Sequence, residues 1–269
     1  MSGAVAKVWA PGTAVEEAAR DTRIARWLLS NGIRAPRPVG NSAYPLTDSS
    51  GRYQLQVGFA EDLGDGEASS ADLAEVLRRL HGLAVPRDLG LTRFDPCRDL
   101  VGRLRDLPRG TLSPEQERHL RTVLANTRTA WRAAPWGPLC VIHGDATPSN
   151  CIATPHGAAL IDFERAATGP RQWDLAAAAW ARDAYGVPPE RYEEFASSYG
   201  EDVTSDAAYG LMSPVFAISA WLYLAECART EPDLREEADR RLATVLTSPL
   251  PPAPWGWLPA SRVLTKAAR

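Results

Sequence analysis

Three oxygen-bearing side chains, Asp145, Asn150 and Asp162, stand in two short segments of a 269-residue chain. The first segment is His143-Gly144-Asp145-Ala146-Thr147-Pro148-Ser149-Asn150, which reads H-G-D-x-x-x-x-N. The second is Ile161-Asp162-Phe163-Glu164. Asp and Asn supply hard oxygen ligands, suited to Mg²⁺ carrying a phosphate chain. Phosphoryl transfer needs such parts: a carboxylate to orient the attacking hydroxyl, and an Asn and an Asp to hold the metal.

The flanking residues indicate how these side chains are positioned. Leu139-Cys140-Val141-Ile142 leads into the first segment and Ala158-Ala159-Leu160-Ile161 into the second. Buried strands that end in acidic residues put carboxylates at the rim of a core. Cys151–Ala153 and Ala158–Ile161 flank Thr154-Pro155-His156-Gly157, the pattern of a hairpin. Such a hairpin carries the chain from Asn150 round to Asp162 and leaves both at the same end, as a shared metal requires. His156 falls at the tip, away from that end.

The paired segments resemble the aminoglycoside phosphotransferase family, a branch of the protein-kinase-like fold, over residues 7–246. Gly169-Pro170-Arg171-Gln172-Trp173-Asp174-Leu175-Ala176 and Leu77-Arg78-Arg79-Leu80-His81 match as well. The resemblance implies an α+β, two-lobed fold, with a small truncated β-rich N-lobe and a larger, mainly helical C-lobe. It implies that Asp145 accepts or orients the substrate hydroxyl proton, and that Asn150 and Asp162 are Mg²⁺ ligands. His143 is then a packing residue that shapes the loop, Asp174 braces the loop backbone, and Glu164 either supports the metal or is simply exposed.

The same resemblance gives Lys7 a task. Ala4–Trp9 reads as a strand, and Thr13-x-x-Glu16 as a capping box opening a helix from about residue 14 to 31, stopped by Gly32. Ala18, Asp21, Ile24, Ala25 and Leu28 share one face of it. In kinase-like folds a strand lysine contacts the nucleotide phosphates and a helix acid holds that lysine. Lys7 and Lys266 are the chain's lysines, every other basic side chain being Arg. The helix acid falls on Asp21 rather than Glu17. Phe59 and Glu61 lie in the expected hinge, where backbone groups would pair with adenine of ATP or GTP. Members of the family carry two strands and a glycine-containing loop before this lysine. Six residues precede Lys7, so that hairpin is expected to be missing.

Elsewhere Arg52–Val57 alternates like a half-buried strand. Ser70–His81 is amphipathic, with His81 expected to complement the helix dipole. Residues 87–100 read as irregular, and Ser113-Pro114 opens a helix to about Trp131, with His119 on its surface. From Arg171 the pattern is helical, in pieces near 172–185, 189–199, 206–229 and 232–246, rich in Asp and Glu. The expected divisions are 1–59 (nucleotide-binding), 60–248 (catalytic loop, metal site and acceptor helices) and 249–269 (a Pro- and Trp-containing tail packed on the surface).

A net charge of −3 argues against a general nucleic-acid binder. No stretch reads as a membrane span, and 1–9 is too short for a signal peptide. The scattered cysteines 97, 140, 151 and 227 read as reduced cytoplasmic thiols. Three functions fit. One is transfer of the γ-phosphoryl group of ATP or GTP to a hydroxyl of a small molecule, such as a cationic antibiotic. A second is a kinase for Ser or Thr of a precursor peptide, working with a partner lyase and with a partner protein completing the N-lobe. The third is a nucleotide-binding pseudokinase module.

Overall fold

The computed structural model describes residues 4–9, 13–40, 46–47, 54–59 and 66–267. In chain order the elements are β1 (Ala4–Val8), α1 (Val15–Ser30), β2 (Leu46–Thr47), β3 (Gln54–Phe59), β4 (Gly66–Glu67) and α2 (Ser70–His81). Then come α3 (Arg98–Arg105), α4 (Pro114–Ala133), β5 (Cys140–Ile142), β6 (Cys151–Thr154), β7 (Gly157–Leu160) and β8 (Ala167–Gly169). The helices α5 (Gln172–Tyr185), α6 (Pro189–Tyr199), α7 (Ala207–Cys227), α8 (Arg235–Val245) and α9 (Ala260–Ala267) complete the chain. The fold is α+β, as expected. Packing groups the residues into two units: Met1–Phe94 with Gly137–Leu175 and Glu193–Glu201, and Asp95–Trp136 with Ala176–Tyr192 and Asp202–Arg269. Among the described residues every strand lies in the first unit.

In the first unit β1 and β2 pair antiparallel with β3, in the order β1-β3-β2, with Lys7 opposite Gln56. The stripe read on α1 is buried: Ala18, Asp21, Ile24, Ala25 and Leu28 are each at most 3% exposed, so a carboxylate sits among apolar neighbours. The expected capping box does not form. Ala14 is the N-cap and makes no side-chain cap bond, so the helix start rests on packing of its apolar face. Its end is as expected: Gly32 takes φ +72°, its N–H donates to the Leu29 carbonyl, and the Ile33 N–H donates to that of Leu28. That pairing closes a helix where only a residue free to adopt positive φ fits without strain. α2 is capped by Ser69 and Asp72 acting reciprocally, and buries Leu73, Val76, Leu77 and Leu80.

β4, β6 and β7 form a second small sheet, and β5 pairs with β8. The hairpin expected between Asn150 and Asp162 is present, with Cys151 opposite Leu160 and Thr154 opposite Gly157. Residues 52–53, the start of the strand expected from Arg52, lie outside the described residues, as does Glu61 of the expected hinge.

The second unit is helical. α3 begins inside the stretch read as irregular. It is short and lacks a side-chain cap, and what holds it is burial of Leu100 and Leu104, one turn apart. His119 is half-buried, and its Nε2 is buried without a hydrogen-bond partner among the described residues. α7 is long and apolar enough to cross a membrane, against the expectation that no stretch would be. It packs against α3, α4 and α8 and buries Met212, Val215, Ile218, Trp221 and Leu222, which covers part of its apolar surface. The segment after Pro249 is tied down through its backbone. The Trp255 and Trp257 N–H groups donate to the carbonyls of Asp183 and Ala184, and Trp257 is 1% exposed.

Candidate active site

All groups of the site belong to the first unit. β5 is fully buried and delivers the chain to His143. There the backbone is gripped from below by Asp174, in the first turn of α5 and 0% exposed. The His143 N–H donates to Asp174 Oδ2 at 2.7 Å and the Gly144 N–H to Oδ1 at 2.9 Å. Trp173 adds its indole N–H to the Gly144 carbonyl at 3.0 Å. Gly144 has φ +82°, and a Cβ there would lie 2.2 Å from the Arg165 carbonyl oxygen, so this position accepts no side chain.

His81 is part of the same grip. Its Nε2 is 3.0 Å from Asp174 Oδ2 and its Nδ1 2.8 Å from the Tyr199 hydroxyl. Burial pushes the Tyr199 hydroxyl well above the ordinary tyrosine range, so it stays protonated beside the ring. The helix-dipole role expected of His81 is therefore replaced by a buried link from Tyr199 to the loop. Tyr199 was not foreseen, because the two residues are 118 positions apart and only tertiary folding joins them.

His143 is 1% exposed and shapes the loop, as expected. Its Nε2 lies 2.9 Å from the Ile161 carbonyl, and its Nδ1 accepts from the Asp145 N–H at 3.3 Å. Asp145 follows, half-buried. Residues 148–150 form one 3-10 turn that returns Asn150 to Asp145, its Nδ2 lying 2.9 Å from the Asp145 carbonyl and 3.2 Å from Oδ2. Burial raises the Asp145 carboxyl above the usual aspartate value; the charge of Asp162 adds to this, while Arg165 and the Asn150 amide offset it in part.

The hairpin closes the other side. The Ile161 N–H donates to the Asn150 carbonyl at 3.0 Å, so the chain re-enters the site one residue before Asp162. Asp162 is the single described residue other than glycine with positive φ, at 65°. Asp tolerates that conformation better than most residues, and the next amide, Phe163 N–H, donates to Asp21 Oδ1 at 2.9 Å. Lys7 reaches in from β1, with Nζ 2.7 Å from Asp162 Oδ1 and 2.8 Å from Glu164 Oε1. Burial alone would lower the Lys7 pKa. The charge of Asp21 and the bonds to Asp162 and Glu164 outweigh it and hold the ammonium above the usual lysine value.

Of the residues singled out from sequence, Asp145 and Asn150 are in contact, and Lys7 joins Asp162. Asp21 anchors the Phe163 backbone and contributes to the field at Lys7. Glu164 enters the site through Lys7. Phe59 ends β3, opposite Ala4.

A model of the phosphotransferase enzyme family matches residues 2–212. No curated protein sequence matches the chain. Among solved structures, the amicoumacin kinase hAmiN in complex with AMP-PNP, Ca²⁺ and Ami is 12% identical, with a TM-score of 0.67 over 93% of this chain and 83% of that one. The choline kinase LicA from Streptococcus pneumoniae is 17% identical, with a TM-score of 0.64 over 92% and 86%. The spectinomycin phosphotransferase APH(9)-Ia bound to AMP is 14% identical, with a TM-score of 0.58 over 90% and 83%. At these identities the likeness is one of fold.

Proposed function

The chain belongs to the phosphotransferase enzyme family, and on that premise we propose that it moves the γ-phosphoryl group of ATP to a hydroxyl of a small molecule. The observation that carries this reading is the bond between Lys7 and Asp162, residues 155 positions apart. It joins the lone lysine of the N-terminal half to the hairpin that also presents Asn150. The similar amicoumacin kinase is described with AMP-PNP and the spectinomycin enzyme with AMP, which supports an adenine nucleotide.

The donor groups suit Mg²⁺. The Asp162 and Glu164 carboxylates already share a cation, the Lys7 ammonium. Asn150 spends its Nδ2 on Asp145, which leaves Oδ1 as its free acceptor. In this reading Asn150 and Asp162 hold the metal, which when bound would neutralise phosphate charge. Asp145 orients the acceptor hydroxyl and takes its proton. A carboxyl raised by burial is a stronger base than a solvated aspartate and suits that task. Lys7 meets the phosphates, Asp21 fixes the backbone beside Asp162, and the hinge at Phe59 and Glu61 meets the adenine.

In this division 1–59 handles the nucleotide, 60–248 carries the catalytic loop, metal site and acceptor helices, and 249–269 is a Pro- and Trp-containing tail. Acidic residues such as Glu190, Glu193 and Glu194 favour a cationic acceptor of the antibiotic class. The unbridged cysteines fit a cytoplasmic enzyme. The test is a panel of basic natural products incubated with ATP and Mg²⁺ and read by mass spectrometry. Gain of one phosphoryl group by an alcohol, lost in Asp145→Asn and Asp162→Asn, is the expected result. Equal product from both variants would overturn the assignment.

A further inference from the structure

Side chains alternate across an extended segment, so Lys7 and Trp9 leave the backbone on one side. Val8, 58% exposed, leaves on the other. The Lys7 Nζ lies 4.3 Å from the centroid of the Trp9 ring, well within reach of a cation–π attraction. The ring itself is buried, at 4% exposure, while the Lys7 side chain stays partly open to water at 30%.

The indole N–H of Trp9 is buried and has no hydrogen-bond partner among the described residues. A buried donor without an acceptor costs the fold. A phenyl ring at position 9 would fill most of the same space with no such donor. What the indole offers in return is the best aromatic face for a cation.

We propose that Trp9 is a positioning residue for the nucleotide, its indole face holding the Lys7 ammonium at the site. Of the other two partners of that ammonium, Asp162 is a carboxylate that the metal would claim in that reading, and Glu164 lies two residues further on. The ring binds no metal, so it keeps the ammonium in place whichever ion the carboxylates serve. This inference rests on the phosphotransfer reading and adds to it a residue that acts through Lys7.

The experiment is calorimetric titration of the full chain with ADP, with and without Mg²⁺, beside a thermal melt of each protein. Trp9→Phe keeps or slightly raises Tm, because it removes the orphaned donor, yet binds ADP more weakly. Trp9→Leu binds more weakly again, the losses together spanning about 2- to 30-fold. In a Lys7→Ala background Trp9→Leu adds no further loss, as expected when one side chain works through the other.

Unchanged ADP affinity in both Trp9 variants overturns the inference, and so does an equal loss with and without Lys7. A Trp9→Phe protein that loses Tm and affinity in step makes the ring structural and overturns it too. If the unaltered protein binds no ADP, the phosphotransfer reading falls and takes this inference with it. Binding that ignores Trp9 removes the inference alone.

Discussion

Lys7 Nζ and Asp162 Oδ1 stand 2.7 Å apart, one on the first strand and the other just past the hairpin that follows the His143–Asn150 loop. Both side chains remain partly open to water, at 30% and 40% exposure, so the pair adds little to stability. Its importance is positional. Lys7→Ala should leave Tm nearly unchanged and lower kcat/KM by about 100-fold or more, as loss of a charged phosphate contact does. Melting curves and steady-state kinetics on one preparation check both halves of this expectation.

Asp174 is the opposite case, a carboxylate with no exposed surface that receives two backbone N–H groups and faces His81. Asp174→Ala would strand those donors in the interior. We expect a loss of about 3 kcal/mol or more in urea unfolding. Tyr199→Phe removes only the outermost bond of the link and should cost about 1 kcal/mol.

Gly144→Ala tests the close approach of the loop to Arg165. The added Cβ would meet a carbonyl oxygen at 2.2 Å on a backbone with positive φ, and neither a rotamer change nor a flexible neighbour relieves it. Activity should fall below detection, while far-ultraviolet circular dichroism keeps its helical signal. Full activity would mean that the loop and Arg165 are not in contact.

How much of this was legible from the chain depends on the range of the signal. α5 and α6 were read with the boundaries observed, and α2 likewise, because caps, prolines and apolar spacing are local. The hairpin between Asn150 and Asp162 was legible for the same reason. Thr13 misled, since its box pattern is outweighed by packing that starts the helix after Ala14. The partners of His81 were hidden, because Tyr199 approaches only once α6 is in place. Lys7 was singled out by its scarcity and its strand, but its bonds to Asp162 and Glu164 are purely tertiary. α7 is apolar enough for a membrane span by length and composition, while its contacts with α3, α4 and α8 are tertiary.

The buried thiols predict an alkaline limit to stability. Burial pushes Cys97 up to about 11, and Cys140 and Cys151 up to about 12, from an ordinary value near 9. The folded chain then binds more protons than the unfolded one between those values, so stability is full below about pH 9 and declines as pH rises toward 12. Urea midpoints between pH 7 and 11 should fall above 9. At pH 8 iodoacetamide should label Cys227, which is only half-buried, well before the other three.

The measurement that bears most directly on the central claim needs no acceptor. ADP is titrated into the unaltered protein, Asp162→Asn and Asp145→Asn, each with and without Mg²⁺. The account predicts that Mg²⁺ tightens ADP binding in the unaltered protein and in Asp145→Asn, and that this gain disappears in Asp162→Asn. An Asp162→Asn protein that binds ADP with Mg²⁺ as tightly as the unaltered chain would contradict it.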